Sequence, residues 1–363
     1  MILAILGLVL FACAGPAQAT SPPASRFPWP ESIVARHLVI APSTAVPVPG
    51  TPYILGTEPD TCQEPCSEPL VRVDVDTGAL KVGPVLSADS HVEIVGHSVV
   101  VITAHKVFPD GVVSGGWGLR SVDVGNLRLG PVKKLPPYVS VEGVTAGSCA
   151  RGGDFWAASG QNLLLLDAAT GLVLKRVHLP LETIQLAVAP NHDACYLLGY
   201  VLGRAPEEGT FIEELDAQSG RRIAVVSQPN PPNGEGPRLT PTDRGVWVVN
   251  GKGAVRFLSE QHLEVLPIPK GALPPDTLKP GVDPITVAGA GPLLLIWSSL
   301  GMTCVDPDSG VLRAAAFWST TTQRPTWTAV ETRNSRLIVI GAENSSSFDS
   351  DLGMVDVPSD CFG

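Results

Sequence analysis

Polar side chains that could bind an anion are spread along the chain, each near the beginning of an expected strand. Two guanidinium groups and an imidazole could hold a carboxylate or a phosphate group through paired hydrogen bonds. The alternative is ordinary polarity, satisfied by water and by neighbouring charges. The residues concerned are His91, Glu182, Arg238, Asp283 and Arg324. They form a candidate ligand site if the fold brings the beginnings of these strands together around one channel mouth.

The sequence signatures of common catalytic and metal sites are missing. The chain has no Gly-x-Ser-x-Gly, no phosphate-binding glycine-rich loop before a helix and no His-Glu-x-x-His. His91, His97 and His105 are six and eight residues apart on expected strand and loop, a spacing that does not favour a shared metal ion. We therefore predict no metal and no cofactor, and the catalytic residues of any enzyme activity stay unknown.

The composition favours a β protein with many turns. The 363 residues are 44% hydrophobic and only 17% charged, and they include 37 glycines and 35 prolines. This glycine and proline content is too high for a helical bundle, and the apolar content is too high for a disordered chain. The net charge of −10 and the lack of an arginine-rich stripe argue against binding to nucleic acid.

The N-terminal sequence is typical of an exported protein. Residues 1–25 have no charged side chain, and residues 2–12 form an apolar run that is too short to span a bilayer. Cleavage after Ala19 would define a signal peptide over 1–19, whereas lipidation of Cys13 would define one over 1–12 and anchor the chain to a membrane. Both alternatives stay open. Residues 20–33 are then expected to be a proline-rich tether, and residues 34–363 the folded domain.

An apolar strand, a tight turn and a second apolar strand recur seven times. The turn begins with Asp or, once, Ser, whose side chain can accept hydrogen bonds from backbone N–H groups. A glycine four residues later, such as Gly78 or Gly171, supplies the positive φ that a bulged turn needs. The turn residues are Asp74, Asp123, Asp167, Asp216, Ser259, Asp306 and Asp356, at spacings of 49, 44, 49, 43, 47 and 50 residues. We expect these residues to be structural and not catalytic.

Each repeat has room for four short strands, which is the size of a β-propeller blade. In the third repeat we expect strands at 140–146, 155–159, 162–167 and 172–179, and in the sixth at 285–288, 293–297, 302–306 and 311–318. The seventh repeat ends before its fourth strand, which residues 36–41 are expected to supply. The sequence thus predicts an all-β, seven-bladed propeller with four antiparallel strands per blade, closed by the N-terminal strand.

The recurring Asp-x-x-[Ser/Thr]-Gly turn, present at Asp74, Asp167, Asp216 and Asp306, resembles the blades of quinoprotein-like and YVTN-type seven-bladed propellers. The resemblance covers residues 34–363 and implies the propeller fold. It implies little about function, because propellers include enzymes, ligand binders and scaffolds. Quinoprotein dehydrogenases resemble eight-bladed rings with a repeated tryptophan motif, and the seven tryptophans here occupy no common repeat position. The resemblance therefore does not extend to the quinone cofactor.

The cysteine count agrees with export. Apart from Cys13, the chain has six cysteines, an even number that suits an oxidising compartment. The predicted disulfide cysteines are Cys62, Cys66, Cys149, Cys195, Cys304 and Cys361. Cys304 lies before the sixth turn and Cys361 after the seventh, so a bond between them would hold the C-terminus. Cys149 and Cys195 are expected near equivalent turns of neighbouring blades and could form another pair.

Long insertions between the second and third strands are expected in blades seven, one and two, which are neighbours in a closed ring. They cover residues 343–351, 58–69 and 105–119, and a further insertion in blade four covers 203–210. Long loops on a rigid scaffold commonly bind partners. The candidate partner-binding residues are acidic or apolar: Asp60, Glu64, Phe108, Trp117, Phe348 and Asp349. The alternative is that these insertions are only solvated loops.

Two functions remain open at this point. The first is an exported, monomeric propeller that binds a protein or a small molecule, whose identity the sequence does not provide. The second is a propeller enzyme, such as a lactonase-like hydrolase or a lyase, with its site at the channel mouth. The missing catalytic signatures favour the binding module, and a purely structural envelope scaffold is a weaker third hypothesis.

Overall fold

The computed structural model describes most of the predicted strands. The described residues are 31–32, 40, 45–58, 67–87, 90–96, 98–107, 113–136, 149–159, 161–188, 194–201, 210–228, 238–242, 245–249, 255–258, 286–290, 293–298, 301–306, 311–317, 326–342 and 351–361. Their regular structure is β-strand, apart from a 3-10 helix at Ser359–Cys361. Within these ranges, no helix is long and apolar enough to cross a membrane.

The strands are short, and we number them in chain order. Up to residue 178 they are β1 (Glu31–Ser32), β2 (Val46–Pro47), β3 (Tyr53–Thr57), β4 (Ser67–Asp74), β5 (Leu80–Ser87), β6 (His91–Val95), β7 (Ser98–Val107), β8 (Val113–Asp123), β9 (Arg128–Leu129), β10 (Lys133–Lys134), β11 (Cys149–Arg151), β12 (Asp154–Ser159), β13 (Asn162–Asp167) and β14 (Val173–His178). Beyond it they are β15 (Leu181–Val188), β16 (Ala194–Val201), β17 (Thr210–Asp216), β18 (Arg222–Gln228), β19 (Arg238–Thr242), β20 (Gly245–Val249), β21 (Val255–Leu258), β22 (Thr286–Ala290), β23 (Leu293–Ser298), β24 (Gly301–Val305), β25 (Leu312–Phe317), β26 (Thr326–Arg333), β27 (Arg336–Ala342) and β28 (Asp351–Asp356).

Strands that follow one another in the chain pair with each other, so that the described strands form seven antiparallel sheets. Sheet one contains β2–β5, sheet two β6–β10, sheet three β11–β14, sheet four β15–β18, sheet five β19–β21, sheet six β22–β25, and sheet seven β26–β28 together with β1. The first strand of each sheet contacts the first strand of the next, from β2 through β6, β11, β15, β19 and β22 to β26, and β26 contacts β2. Neighbouring sheets therefore follow chain order, and the last sheet lies beside the first.

The strands predicted for the third and sixth repeats largely agree with the structure. In sheet three the second and third predicted strands coincide with β12 and β13, and the fourth contains β14. In sheet six all four predicted strands overlap β22–β25. The first strand of sheet three differs, because the strand that pairs with β12 is Cys149–Arg151. The predicted position, 140–146, lies outside the described residues.

The strand that pairs with the last strand also differs from its predicted position. Glu31 of β1 lies opposite Met354 of β28, and Ser32 lies opposite Gly353. The sequence predicts this strand at 36–41, where only Ile40 is described, and Ile40 is fully buried outside any strand. The pairing residues instead belong to the expected tether, so strand pairing begins earlier in the chain than predicted.

Apolar side chains pack between neighbouring sheets because many strands are covered on both faces. In β3, Ile54 packs with Ile338 of sheet seven, whereas Leu55 packs with Val99 of sheet two. Consecutive side chains of a strand point to opposite faces, so a strand buried on both sides has a continuous apolar run. Further apolar clusters lie between sheets two and three, three and four, and six and seven.

The turns after the third strands of sheets one to four have the predicted chemistry, and we call them the aspartate turns. They begin at Asp74, Asp123, Asp167 and Asp216. The Oδ1 atom of Asp167 accepts the backbone N–H of Thr170 at 2.7 Å, and this bond holds the pKa of Asp167 below its ordinary value. At Asp216 the hydroxyl and the backbone N–H of Ser219 lower the pKa in the same way. These aspartates are structural, as predicted.

The residue four places after each aspartate has a left-handed backbone. Its φ is 70° at Gly78, 75° at Gly171 and 66° at Gly220, which confirms the predicted need for glycine. In sheet two the same place is taken by Leu127, with a φ of 59°. The Leu127 side chain is buried between sheets one and two, so its packing offsets a backbone cost of about 1–2 kcal/mol.

Basic side chains of one sheet donate hydrogen bonds to the aspartate turn of the next sheet. The bonds run from Arg72 Nη1 to Val124 O (2.8 Å), Lys81 Nζ to Gly125 O (3.1 Å), Lys133 Nζ to Ala168 O (3.0 Å) and Lys175 Nζ to Ser219 O (2.6 Å). We call these the intersheet bonds. Because a carbonyl oxygen at a turn has no ladder partner, a long cation from the adjacent sheet can satisfy it.

A disulfide joins Cys304 of β24 to Cys361, with a Cα–Cα distance of 5.6 Å. This confirms the predicted bond between sheet six and the C-terminus. Cys195 is also disulfide-bonded, and its pairing with Cys149 stays a prediction. The remaining predicted cysteines, Cys62 and Cys66, lie outside the described residues, as does Cys13.

Candidate functional site

Among the described residues, the pairing of β7 with β8 is the longest between a second and a third strand. It runs from Val99 opposite Val122 to Val107 opposite Val113. By contrast, the second and third strands of sheet three end at the pair Ser159–Asn162, next to a two-residue connection. The β7–β8 hairpin therefore extends beyond the equivalent turn of sheet three, at the end of the sheet opposite the aspartate turn.

This hairpin corrects the prediction of a loop over 105–119. Only residues 108–112 of that range lie outside the described strands, and the rest belong to β7 or β8. Valines at positions 107, 112 and 113 favour strand pairing, whereas the glycines and the proline in the same stretch suggested a loop. The predicted insertion is thus mostly an ordered hairpin.

Trp117 is consequently not a loop residue. It lies in β8 opposite Ala104, and its backbone oxygen accepts the N–H of Leu135 at 2.8 Å. Its side chain is partly buried and packs against the apolar cluster between sheets two and three. Trp117 therefore supports the base of the hairpin, and its predicted place in an exposed binding loop is wrong.

The other predicted partner-binding residues lie outside the described residues. They are Asp60, Glu64, Phe108, Phe348 and Asp349. Their neighbours show where the chain leaves and returns: β3 ends at Thr57 and β4 begins at Ser67, while β27 ends at Ala342 and β28 begins at Asp351. These two connections lie at the same end of their sheets as the β7–β8 hairpin, because all three join second and third strands.

Three of the five predicted channel-mouth residues lie at the beginnings of first strands. His91 is the first residue of β6, Glu182 the second of β15 and Arg238 the first of β19. Strands β15 and β19 contact each other, whereas β11 lies between β6 and β15. Asp283 and Arg324 lie outside the described residues. The strand positions agree with the prediction, and a shared ligand site at these residues stays a prediction.

A cluster of three buried hydroxyl groups fixes the connection that leads into His91. Ser87 ends β5, Ser90 precedes β6 and Thr103 lies in β7, and each side chain is at most 2% exposed. The Ser90 hydroxyl donates to Thr103 Oγ1 at 2.7 Å, and the Ser87 Oγ lies 3.0 Å from the Ser90 Oγ and 3.2 Å from Thr103 Oγ1. Buried hydroxyls are stable only when hydrogen-bonded, so this cluster holds the outer strand of sheet one against sheet two.

The sequence analysis did not identify this cluster, although a sequence signal for it exists. Hydroxyl residues recur at or near the end of the second strand, at Thr57, Thr103 and Ser159. All three are almost completely buried. A hydroxyl at this repeat position, following an apolar run, predicts a polar contact with the connection between neighbouring sheets.

Carboxyl groups with perturbed pKa values lie inside the sheets and away from the hairpin end of sheet two. Burial raises the pKa of Glu213 in β17, and Arg222, whose Nη1 lies 3.0 Å from Glu213 Oε1, opposes that shift. Burial also raises the pKa of Glu331 in β26, opposed by Arg333. Glu213 pairs with a cation of its own sheet, which indicates a structural role.

Burial and the carboxylate of Glu214 raise the pKa of Tyr196, which lies opposite Glu214 in the pairing of β16 with β17.

Within the described part of the chain, no group of three or more His, Cys, Asp or Glu side chains could hold a metal ion. We take the β7–β8 hairpin as the candidate site because, in the described residues, it is the longest pairing of a second with a third strand.

Comparison with known proteins identifies the fold. No protein-family model and no curated protein matches the chain. A chain in the crystal structure of BBS1N in complex with ARL6DN is similar, with a TM-score of 0.52 and 11% identity over 91% of this chain and 94% of that chain. A chain in the crystal structure of the Mitotic Checkpoint Complex has a TM-score of 0.56 and 10% identity, over 97% and 99% of the two chains.

Both of these structures are β-propellers. Together with the all-β sheets described above, the likeness shows that the protein has a β-propeller fold. At this level of identity the likeness concerns the fold alone, because propellers of one shape have many unrelated functions.

Proposed function

We propose that this chain is an exported, seven-bladed β-propeller that acts as an interaction module. Each of the seven sheets would be one blade. Support for a closed ring comes from the contact of β26 with β2 and from the apolar cluster that joins sheets seven and one, with Ile338 and Ile340 packed against Ile54 and Val73. A closed ring removes the exposed edges that an open array would have at its two ends.

The single observation that carries the function is the length of the β7–β8 hairpin. An ordered hairpin that is longer than the equivalent hairpin of the neighbouring sheet three costs conformational entropy and adds little to the core, so it is best explained by contact with a partner. The connection 59–66 of sheet one would lie beside this hairpin, and the connection 343–350 of sheet seven would lie on the far side of sheet one, at the same end of the ring. Their acidic and apolar residues, with Asp60, Glu64 and Phe348 among them, would form one surface with the hairpin and contact a basic, apolar surface of a partner protein.

Shortening the hairpin tests this proposal. Replacing residues 105–116 with Asn-Gly keeps the pair Ala104–Trp117 and closes the strands with a two-residue turn. We expect the melting temperature to change by less than about 4 °C, because the deleted part lies beyond the core cluster. We expect proteins that co-purify with the tagged wild-type chain from the exported fraction to be reduced by about tenfold or more, as measured by quantitative mass spectrometry.

The matched control changes a hairpin that is already minimal. Substitution of residues 160–161, which connect β12 and β13, by Asn-Gly alters a turn at the same end of sheet three without removing surface. The control is expected to retain the wild-type partners. If the shortened chain is folded and retains the same partners as the control, the hairpin is not the binding surface.

The mass of the mature protein tests the exported state. Export predicts either a chain that begins at Thr20 or one that begins at Cys13 with a diacylglyceryl group, and three disulfides would make the chain six hydrogens lighter than its reduced form. Intact mass spectrometry under non-reducing conditions distinguishes these forms. A chain that retains residues 1–12, and in which all six cysteines other than Cys13 are reduced, would contradict export.

A further inference from the structure

Exposed apolar side chains are concentrated on the outer strands, which are the last strands of their sheets. Every large hydrophobic residue that is exposed in the described part of the chain lies in such a strand or directly before one. These residues are Val82, Val85, Leu172, Leu174, Ile223, Val225 and Val311, with 47–63% of each exposed. Scattered exposed apolar residues are normal in soluble proteins, whereas apolar residues confined to one kind of strand indicate a contact surface.

The outer strands of sheets one, two, three, four and six are also basic. Over residues 80–87, 128–134, 172–179, 221–228 and 311–317 there are nine lysines and arginines and no aspartate or glutamate. The whole chain, by contrast, has a net charge of −10. The rim that these strands form is therefore basic and apolar on an acidic protein, so an acidic and apolar ligand is complementary to it.

Among the outer strands, β14 combines exposed apolar side chains and positive charge most strongly. Leu172, directly before it, is 63% exposed, and Leu174 within it is 50% exposed. Lys175 is exposed and donates to the neutral carbonyl of Ser219 at 2.6 Å. In β18, by contrast, the side chain of Arg222 is paired with the buried carboxylate of Glu213.

The backbone of β14 adds a third feature. It is the terminal strand of sheet three, paired with β13 along one side. The other side of a terminal strand presents N–H and C=O groups that can pair with an added strand. The same edge of a second copy would bring lysine and arginine against lysine and arginine, which disfavours pairing between copies.

We propose that the outer edge of β14 binds an extended segment of a partner protein that alternates acidic and apolar residues, added as a further strand of sheet three. The apolar side chains of the segment would cover Leu172 and Leu174, and its carboxylates, on the opposite face, would lie near Lys175. This surface is separate from the β7–β8 hairpin, so it goes beyond the proposed function and can fail independently of it.

The test uses a fluorescein-labelled peptide, Glu-Val-Glu-Val-Asp-Val-Glu, with blocked ends, and measures binding to the full mature chain by fluorescence anisotropy. The double variant Leu172→Glu/Leu174→Glu removes apolar cover and adds two negative charges to exposed positions. We expect it to raise the Kd by about tenfold or more. The matched control, Val82→Glu/Val85→Glu, makes the same change on β5 of sheet one and is expected to leave the Kd within about twofold of wild type.

A second peptide tests the strand addition itself. N-methylation of alternate residues removes the N–H groups that would pair with β14, and we expect it to weaken binding by about tenfold. Three results would each overturn the proposal. The methylated peptide could bind as tightly as the parent peptide, or the parent peptide could fail to bind. The third is an equal rise in Kd for Leu172→Glu/Leu174→Glu and Val82→Glu/Val85→Glu. Variants are compared only after circular dichroism shows the wild-type spectrum.

Two further measurements test whether the ligand of β14 is a membrane surface and whether the peptide binds at the β7–β8 hairpin instead. Sedimentation with vesicles of phosphatidylglycerol and phosphatidylcholine that is lost in Leu172→Glu/Leu174→Glu, without peptide binding, would identify a membrane contact and overturn the proposal. Wild-type peptide binding by the chain with the shortened hairpin would support it, because the two surfaces are then separate. If that chain loses the peptide, the site lies at the hairpin and not on β14.

Discussion

Replacing Trp156 with alanine is expected to lower the free energy of unfolding by about 4 kcal/mol, because the loss of a buried tryptophan leaves a large cavity. The Trp156 side chain is 1% exposed and lies in the apolar cluster between sheets three and four. Its indole Nε1 donates to the carbonyl oxygen of Ala217 at 2.6 Å, just after Asp216. The substitution therefore removes apolar contact and an intersheet hydrogen bond together. Urea unfolding followed by circular dichroism measures the loss.

A second set of variants separates the hydrogen bond of Trp156 from its packing against the turn at Asp216. In Trp156→Phe an aromatic ring is kept, although it is smaller than indole, and the Ala217 carbonyl loses its donor, so we expect a loss of about 1–3 kcal/mol, less than for alanine. A Cβ added to Gly220 would lie 2.8 Å from Cη2 of Trp156, whereas one added to Gly50 would have no atom within 4 Å. Both glycines have a positive φ, 66° and 72°.

Alanine at Gly50 therefore isolates the backbone cost, about 1–2 kcal/mol, and alanine at Gly220 adds overpacking against the indole, about 1–3 kcal/mol more. If Trp156→Ala costs no more than Gly50→Ala, the contact between Trp156 and the turn at Asp216 does not stabilise the fold, and the importance that we assign to intersheet contacts is wrong.

The intersheet bonds explain why the aspartate turns recur with so little variation. The turns at Asp123, Asp167 and Asp216 have two roles: the aspartate accepts backbone N–H groups of its own turn, and a turn carbonyl accepts a hydrogen bond from a cation of the preceding sheet. A turn with a different backbone would aim that carbonyl elsewhere. The repeated glycine thus serves two sheets, although the sequence shows only its local role.

Much of the fold follows from short-range patterns. The strands β12 and β13 and those of sheet six are apolar runs bounded by turn residues, so their positions can be predicted from local sequence alone. The first strand of sheet three could not be placed in this way. Cys149–Arg151 is three residues long and becomes a strand through pairing with β12, which is a contact that composition does not reveal.

The candidate site was less predictable, because its residues come from separate sheets. The hydroxyl cluster joins Ser87 of one sheet to Thr103 of the next, and nothing in either local sequence identifies the partner. The hairpin at β7 and β8 contains glycine and proline, which are loop residues in isolation, and it is ordered by pairing of its valines. Leu127 shows the same limit, because its burial permits a left-handed backbone where the other turns have glycine.

Removal of the disulfide between Cys304 and Cys361 is the second large expected effect. The bond closes a loop with a sequence separation of 57 residues, for which loop entropy in the unfolded chain corresponds to about 4 kcal/mol. We expect Cys304→Ala/Cys361→Ala to be less stable than wild type by about that amount, as measured by urea unfolding without reductant. The double variant avoids a free thiol, which could exchange with the disulfide at Cys195.

A control variant shows whether the loss of stability comes from the missing disulfide or from the loss of packing around the two sulfur atoms. Both cysteines are buried in the apolar cluster between sheets six and seven, so truncation also removes sulfur atoms from the core. Met302→Ala truncates a neighbour in that cluster without changing any cross-link, and it is expected to cost about 2–5 kcal/mol with no change in the m-value. Loss of the cross-link should instead raise the m-value, because the unfolded chain becomes less compact. A double cysteine variant with unchanged m-value and stability would show that the bond does not hold the end of sheet seven against sheet six.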